Sequence, residues 1–239
     1  MKFNRTEVHC HFLPEVDDGC ANLAESLTCL RLMVDAGYTR VFCTPHCGDS
    51  GFSELSTAIV ADLVKRLDEE VRAAGIPIQL RPGGELRLSE TVAGDLQEVG
   101  IPSYGHAGRY ILVDTWTYDW PTWTTRAVEW LQQQNLIVIL AHPERMPVLR
   151  RNPAYISELA KMGLLFQGNL GPISGADAPD IVALAQRYLQ EGRYFMAATD
   201  GHRCSHLPTR LAGLQRIEEL VGPEVLHELT EKNPARLWT

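Results

Sequence analysis

The sequence lacks the features that mark several classes of protein. No basic run is longer than Arg150-Arg151, and 22 Lys and Arg are outnumbered by 30 Asp and Glu, which gives a formal net charge of −8. This balance argues against nucleic acid as the main partner. No opening stretch joins basic residues to a long apolar core, and no segment is long enough to span a bilayer. We therefore expect a cytoplasmic chain with no signal peptide and no membrane insertion.

Cysteine is too sparse and scattered to build a disulfide framework. The six cysteines include no C-x-x-C pair, and such frameworks are unusual in chains of this size and location. Low-complexity linkers are also missing. With 239 residues, 45% of them hydrophobic, the sequence predicts a single domain over residues 1–239 with a sizeable core.

Seven strand-like runs alternate with helical segments along the chain. Helices are indicated by a capping box at Asn22 and Glu25, by apolar residues at four-residue steps from Leu55 to Val71, and by Pro121 at a helix start. Such alternation predicts a parallel sheet covered by helices. We expect a closed or nearly closed α/β barrel of seven strands, because closure gathers the strand ends around one axis.

Polar residues fall at the predicted carboxyl ends of strands one to five and seven, where α/β barrels place their sites. His9 and His11 stand at i and i+2 of the first strand, so both imidazoles share one face. Asp18 follows in a turn that can bring its carboxylate back toward the strand end. The other strand ends carry His46, Glu85, Asp114, His142, Asp200 and His202.

Five histidines and four carboxylates exceed the needs of one metal ion, so this set predicts two or three divalent ions. Imidazole and carboxylate donors without thiolate suit manganese, iron or zinc and disfavour a structural zinc. Clustered cations polarise a phosphoryl oxygen and lower the pKa of a bridging water, which supplies hydroxide near neutral pH. The predicted reaction is hydrolysis of a phosphoester.

The motifs HCHFLPEVDDG, CTPH, GGEL, ILVDTW, ILAHPER and ATDGH occur in this order. Together they resemble the PHP (polymerase and histidinol phosphatase) metallohydrolases, and most closely the bacterial PHP-class protein-tyrosine phosphatases of capsule and exopolysaccharide synthesis, the CpsB/YwqE type. The resemblance covers nearly the whole chain and implies a distorted (β/α)7 barrel with three metal positions. It also implies manganese as cofactor, with iron or zinc as alternatives, and a phosphotyrosine protein as partner, such as a bacterial tyrosine kinase of polysaccharide synthesis.

The resemblance also implies roles for single residues. Carried over by motif, one ion would bind His9, His11, Glu85 and Asp200, a second Glu85, Asp114 and His142, and a third Asp18, His46 and His202. Arg145 of HPER would bind phosphate, and a ligand-sphere water or an acid such as Asp200 would aid the leaving oxygen. The subgroup usually has glutamate at position 114, so the shorter aspartate predicts a weaker second site. The arginine expected after Asp200-Gly201-His202 is out of register, and Arg203 and Arg210 are the candidates to replace it.

Other interpretations of the sequence stay open. Cys204 and Arg210 form a C-x5-R pattern, the spacing of cysteine-based phosphatases, although the loop has no glycine and Pro208 removes an N–H donor. A phosphatase for a small metabolite such as histidinol phosphate is a second alternative. A catalytically weak PHP module that binds a phosphorylated partner is a third. Trp116 and Tyr118, just past Asp114, are candidates to line a pocket for an aromatic phosphoester.

Overall fold

The computed structural model describes residues 4–48, 55–106 and 108–238, in which parallel strands are covered by helices. The strands are β1 (Arg5–Glu7), β2 (Tyr38–Cys43), β3 (His46–Gly48), β4 (Gln79–Pro82), β5 (Glu85–Arg87), β6 (Tyr110–Asp114), β7 (Ile137–Ala141), β8 (Leu165–Asn169) and β9 (Met196–Ala198). The helices are α1 (Leu23–Asp35), α2 (Thr57–Ala73), α3 (Val92–Val99), α4 (Thr122–Gln133), α5 (Pro147–Arg151), α6 (Ile156–Lys161), α7 (Leu170–Ser174), α8 (Pro179–Gln190), α9 (Leu207–Val221), α10 (Pro223–His227) and α11 (Asn233–Ala235).

All strand pairs are parallel and form two sheets, with orders β1-β2-β4 and β3-β5-β6-β7-β8-β9. The predicted second and third strands are each divided, one at Thr44-Pro45 and the other at Gly83-Gly84. Proline has no N–H for a ladder bond, and glycine weakens strand pairing, which accounts for breaks at these points.

Backbone hydrogen bonds extend the β1-β2 pairing past the ends of these strands and also join the residues after β1 to those after β9 of the other sheet. The Thr44 N–H donates to Cys10 O at 3.0 Å, and the Asp200 N–H donates to His9 O at 2.8 Å. Cys10 also forms an isolated parallel bridge with Gly201. The predicted parallel α/β architecture is confirmed. Within the described ranges no closed barrel is detected, and the strands form two linked sheets, which is the form that the predicted distortion takes.

Alternate residues of the strands enter two separate cores. Ile111 and Val113 of β6 pack in a large core with the helices, where Val128 of α4 joins them. Leu112 of β6 and Ile139 of β7 belong instead to a smaller core on the other strand face. This period of two follows from the alternation of side chains along a strand, and it leaves both strand faces buried.

The helix boundaries agree closely with the sequence patterns. Asn22 Oδ1 accepts from the Glu25 N–H at 3.0 Å and so caps α1, while Glu25 Oε2 accepts from the Ala21 N–H at 2.8 Å. The predicted apolar stripe of α2 is confirmed at Leu67 and Val71, which are buried. Nearer the start of the helix the buried positions are Val60 and Val64, and Ile59 is 46% exposed. No helix in the described part of the chain is long and apolar enough to cross a membrane.

Two helical glycines offer a test of the packing between α7 and α9. A methyl group at Gly213 would meet the backbone oxygen of Leu170 at 2.3 Å, whereas one at Gly94 in α3 meets no described atom within 4 Å. We expect Gly213→Ala to lower the free energy of unfolding by about 1–3 kcal/mol through overpacking. Gly94→Ala, the matched control, should raise it by about 0.5–1 kcal/mol through helix propensity. Urea denaturation measures both, and equal stability of the two variants would contradict the close approach.

Candidate metal centre

The carboxylate of Glu85 lies at the centre of the predicted site and is almost completely buried. Its register partner across the ladder is His46, so the two side chains share a face. Glu85 Oε2 lies 2.9 Å from His46 Nδ1, 3.3 Å from His9 Nε2 and 3.5 Å from His11 Nε2, and Oε1 lies 2.9 Å from His142 Nε2. Burial raises the pKa of this carboxyl, but the imidazoles around it outweigh burial and hold the pKa well below its usual range.

The predicted ligands gather into three overlapping clusters, and within each cluster the ligand atoms lie within 4.8 Å of one another. The clusters are His9, Glu85 and His142; His9, His11 and Asp200; and His11, Asp18, His46 and His202. The first two are buried. The third reaches solvent, because the side chain of Asp18 is 62% exposed. Sites this close to one another share ligands, as expected for a multinuclear centre.

Asp114 is the one predicted ligand outside these clusters. It ends β6 and is buried, and its Oδ1 atom has no hydrogen-bond partner among the described residues. Burial raises the pKa of this carboxyl, against the opposing charge of His142. A buried carboxylate oxygen without a donor is costly unless a cation or water contacts it. The ligand role of Asp114 therefore stays a prediction, and its unpaired oxygen fits that role.

The sequence reasoning missed two side chains that orient the rings of His9 and His11. The Gln167 amide N–H groups donate to Gly168 O and Asn169 Oδ1, so Gln167 Oε1 accepts from His9 Nδ1 at 2.7 Å. Asp17 Oδ2 accepts from His11 Nδ1 at 2.8 Å. Each ring then directs Nε2 inward, and the two Nε2 atoms lie 3.3 Å apart. Such partners are typical of histidines that bind metal through the opposite nitrogen.

This inward-facing set of atoms attracts positive charge. Glu85 and Asp200 each place a carboxylate oxygen 3.3–3.6 Å from the Nε2 atoms of His9 and His11. Burial lowers the pKa of His11, but hydrogen bonds to Asp17 and Asp200 outweigh burial and raise it well above its ordinary value. A site that binds a proton so strongly also suits a metal cation, which would compete for the same nitrogen. The donors present therefore fit divalent metal ions.

Asp200 is held by three neighbours at its carboxylate. Asn169 Nδ2 donates to Oδ2 at 2.8 Å, and Arg145 Nη1 donates to the same oxygen at 3.3 Å. Arg210 Nη1 lies 3.5 Å from it and donates to the backbone oxygens of Thr199 and Asp200. Burial raises the pKa of Asp200, but His9 and the other histidines outweigh burial and hold it well below its usual range. A group that stays ionised suits a ligand better than an acid.

The backbone at two site residues is left-handed, which is uncommon outside glycine. Asp200 has a φ of 49° and His142 a φ of 32°. Both follow the last residues of strands, so the left-handed turn redirects the chain where the site begins. Strained backbone of this kind concentrates at functional sites.

The three candidate arginines have different partners. Arg145 bridges Asp200 and Asp177, with its Nη2 atom 3.0 Å from Asp177 Oδ2. Arg210 also lies at Asp200. Arg203 instead pairs with Glu25, the capping residue of α1, at 3.2 Å. The structure therefore brings Arg145 and Arg210 to the clusters, and Arg203 to the helix.

The surroundings of Cys204 do not favour thiol catalysis. Burial and the nearby carboxylate of Glu25 raise the pKa of the Cys204 thiol, whereas a nucleophilic cysteine needs a lowered pKa. The Cys204 N–H donates to Glu25 at 3.3 Å. Arg210 donates to backbone oxygens of Thr199 and Asp200. The C-x5-R pattern is not arranged as a phosphate-binding loop.

A spacing signal for Gln167 was present in the sequence. Gln167 and Asn169 stand at i and i+2 at the end of β8, the same spacing as His9 and His11 at the first strand. This spacing predicts that both side chains lie on the same face of the strand end. Asp17 adjoins the predicted ligand Asp18, but no sequence pattern separates their roles.

Comparison with known proteins gives a consistent result. A family model described as "Capsular polysaccharide synthesis, CpsB/CapC" matches residues 5–239. Tyrosine-protein phosphatase YwqE of Bacillus subtilis is 28% identical over 227 residues, which cover 94% of this chain and 88% of YwqE. Putative tyrosine-protein phosphatase CapC of Staphylococcus aureus is 24% identical, over 87% of this chain and 81% of CapC.

Comparison with solved structures agrees with this result. A crystal structure from the work on YwqE of Bacillus subtilis and CpsB of Streptococcus pneumoniae, described as metal-dependent tyrosine phosphatases, superposes with a TM-score of 0.87 at 28% identity. The match covers 98% of this chain and 94% of the other. The phosphotriesterase homology protein of Escherichia coli, at TM-score 0.65 and 14% identity, shares the fold alone, with full coverage of both chains.

The role of Gln167 can be tested through metal affinity. Gln167→Leu removes the acceptor that fixes His9 Nδ1, so we expect metal affinity to fall about 10–100-fold. The matched control is Gln132→Leu, which loses the hydrogen bond from Gln132 Nε2 to Met162 O, and neither residue belongs to the three clusters. Calorimetric titration of manganese into stripped protein measures both. Unchanged affinity in Gln167→Leu would show that this contact does not orient a ligand.

Proposed function

Because this chain belongs to the CpsB/CapC family of capsular polysaccharide synthesis, we propose that it is a metal-dependent protein-tyrosine phosphatase. It hydrolyses phosphotyrosine in protein, with a bacterial tyrosine kinase of polysaccharide synthesis as the partner, in the cytoplasm and as a single domain. The observation that carries this proposal is the buried array of histidines around Glu85, whose donors suit divalent ions. Relatives named as tyrosine phosphatases along almost the whole chain support it.

We assign the three clusters as sites for two to three divalent ions, with manganese preferred and iron or zinc as alternatives. Glu85 belongs to one buried cluster and also contacts ligands of the other two, so it is the shared carboxylate. Asp114 adds to the buried cluster of His9, Glu85 and His142. When bound, such ions polarise a phosphoryl oxygen and lower the pKa of a coordinated water.

The remaining roles fall to side chains of this protein. Arg145, held by Asp177 and Asp200, presents a planar guanidinium that binds phosphoryl oxygens through two N–H groups and counters charge that grows in the transition state. Asp200 stays ionised and orients Arg145, so protonation of the leaving oxygen falls to water. A tyrosine phenol has a pKa of about 10, and it therefore leaves with less protonation than an aliphatic alcohol.

The deciding experiment compares phosphotyrosyl peptide and histidinol phosphate as substrates of the purified protein, with its metal content measured. We expect turnover of the peptide to be clearly preferred. Preference for histidinol phosphate would show instead that the protein is a phosphatase of a small metabolite. Tight binding of the peptide without turnover, at full metal content, would indicate a binding module.

Metal dependence separates the proposed mechanism from thiol catalysis. Stripping the metal should abolish hydrolysis of phosphotyrosine, and added manganese should restore it, because the clustered donors require a cation. Cys204→Ser should retain most of the activity, because the thiol has a raised pKa. A loss of turnover in Cys204→Ser at unchanged metal content would overturn the metal mechanism.

Arg145→Ala should lower turnover of phosphotyrosine on the order of a hundredfold, because one donor to the transition state is lost. Arg145→Lys should recover only part of the rate, since lysine lacks the planar fork. The control is Arg150→Ala, which removes an exposed ion pair between Arg150 of α5 and Asp180 of α8 and should leave turnover unchanged. Metal content is measured in parallel, and normal turnover in Arg145→Ala would move the phosphate site to Arg210.

Asp114→Asn tests the predicted second site. Aspartate reaches less far than the glutamate usual in the subgroup, so we expect the ion near Asp114 to be the most easily lost. Titration of manganese into stripped protein should show one weak class of site that Asp114→Asn abolishes. If stoichiometry and activity both stay unchanged, Asp114 is not a ligand.

A further inference from the structure

Two large aromatic side chains are exposed on one loop beside the metal centre. Trp116 is 50% exposed and Tyr118 is 74% exposed, and both follow β6 directly. In the described part of the chain the other exposed large hydrophobic residue is Ile59 of α2. Trp120 and Trp123, farther along the same stretch, pack against the large core instead. Exposure of neighbouring aromatic rings at one place indicates a binding surface.

Polar contacts join this loop to α5. Thr117 Oγ1 donates to Asp119 O at 2.6 Å. Arg151 of α5 donates to Asp119 Oδ1 at 2.7 Å and also to the backbone oxygen of Tyr118. The backbone is thereby tied to α5 while the rings of Trp116 and Tyr118 stay exposed.

The loop begins at the buried carboxylate of Asp114, and Trp116 contacts the edge of the centre. The ring centroids of Trp116 and His142 lie 6.0 Å apart. His142 itself contacts Glu85. An aromatic ring joined to a phosphoryl group at the clusters would therefore lie within the range at which aromatic rings pair with Trp116.

We propose that Trp116 and Tyr118 form the specificity surface for the aryl group of the substrate: Trp116 packs on the phosphotyrosyl ring, and Tyr118 extends the contact to the flanking peptide. This inference rests on the proposed function and deepens it. Aromatic packing here selects a phosphorylated aryl ring over a phosphorylated aliphatic side chain, because only the former has a face to pair. Inorganic phosphate, which has no ring, makes no use of this surface.

The test compares ligands with and without a ring on the metal-loaded protein. Trp116→Ala should lower kcat/KM for a phosphotyrosyl peptide about tenfold, a typical size for one lost aromatic pair together with its buried area. Inhibition by inorganic phosphate should stay unchanged. Calorimetric binding of the same peptide carrying a non-hydrolysable phosphonate should weaken by a similar factor, and Trp116→Phe should restore most of the affinity. Tyr118→Ala should weaken binding of the peptide but leave the kcat/KM for phenyl phosphate unchanged.

The matched control is Ile59→Ala, which removes exposed apolar surface on α2. It should leave the kcat/KM for the peptide, the affinity for the phosphonate peptide and the inhibition by phosphate unchanged. If Trp116→Ala weakens binding of the peptide and of inorganic phosphate equally, the inference is overturned and the phosphatase proposal stands. The same holds if Trp116→Ala changes only the oligomeric state, since the loop would then join copies of the chain. A wild-type protein that turns over no phosphotyrosyl peptide would overturn the proposed function and this inference with it.

Discussion

Negative charge buried at the carboxyl ends of the strands is the constraint on which this structure depends. Glu85 and Asp200 are both almost fully buried, and a buried carboxylate is tolerated only where opposite charge or donors surround it. The imidazoles that do so come from different strand ends, so no single segment can satisfy the two carboxylates. Neutralisation of the centre therefore requires that the strands be assembled. This explains why the protein places so many ionisable groups in its interior.

The irregular strands follow from the same requirement. The breaks at Thr44-Pro45 and Gly83-Gly84 interrupt two neighbouring strands at the same level of the sheet. After the breaks, His46 and Glu85 begin new strands as register partners, which turns both side chains toward the centre. A methyl group at Gly84 would approach Pro102 Cβ to 2.7 Å, so the break between β4 and β5 needs a residue without a side chain at this position. The two-sheet arrangement is the geometric consequence of bringing these residues together.

The sequence was informative where chemistry and period coincide. Histidines and carboxylates near the strand ends gave nine predicted ligands, and eight of them lie in the three clusters. Asn22 with Glu25 predicted the start of α1. Side chains that act through another residue left a weaker signal, because the i and i+2 spacing of Gln167 and Asn169 is shared by many ordinary strand residues. The ion-pair partners of the arginines could not be predicted either. Arg203 and Arg210 are close in sequence, but the fold places one at Glu25 and the other at Asp200.

The left-handed backbone at His142 and Asp200 affects how substitutions at the centre are interpreted. Alanine at either position removes a functional group and also places an ordinary side chain in a conformation that costs roughly 1 kcal/mol or more. An alanine scan would therefore report two effects as one and overstate the chemical contribution. Asparagine adopts this conformation more readily than most residues, so it isolates the loss of charge or of an imidazole nitrogen. At these two positions the shape of the chain, and not only its chemistry, determines which replacement is informative.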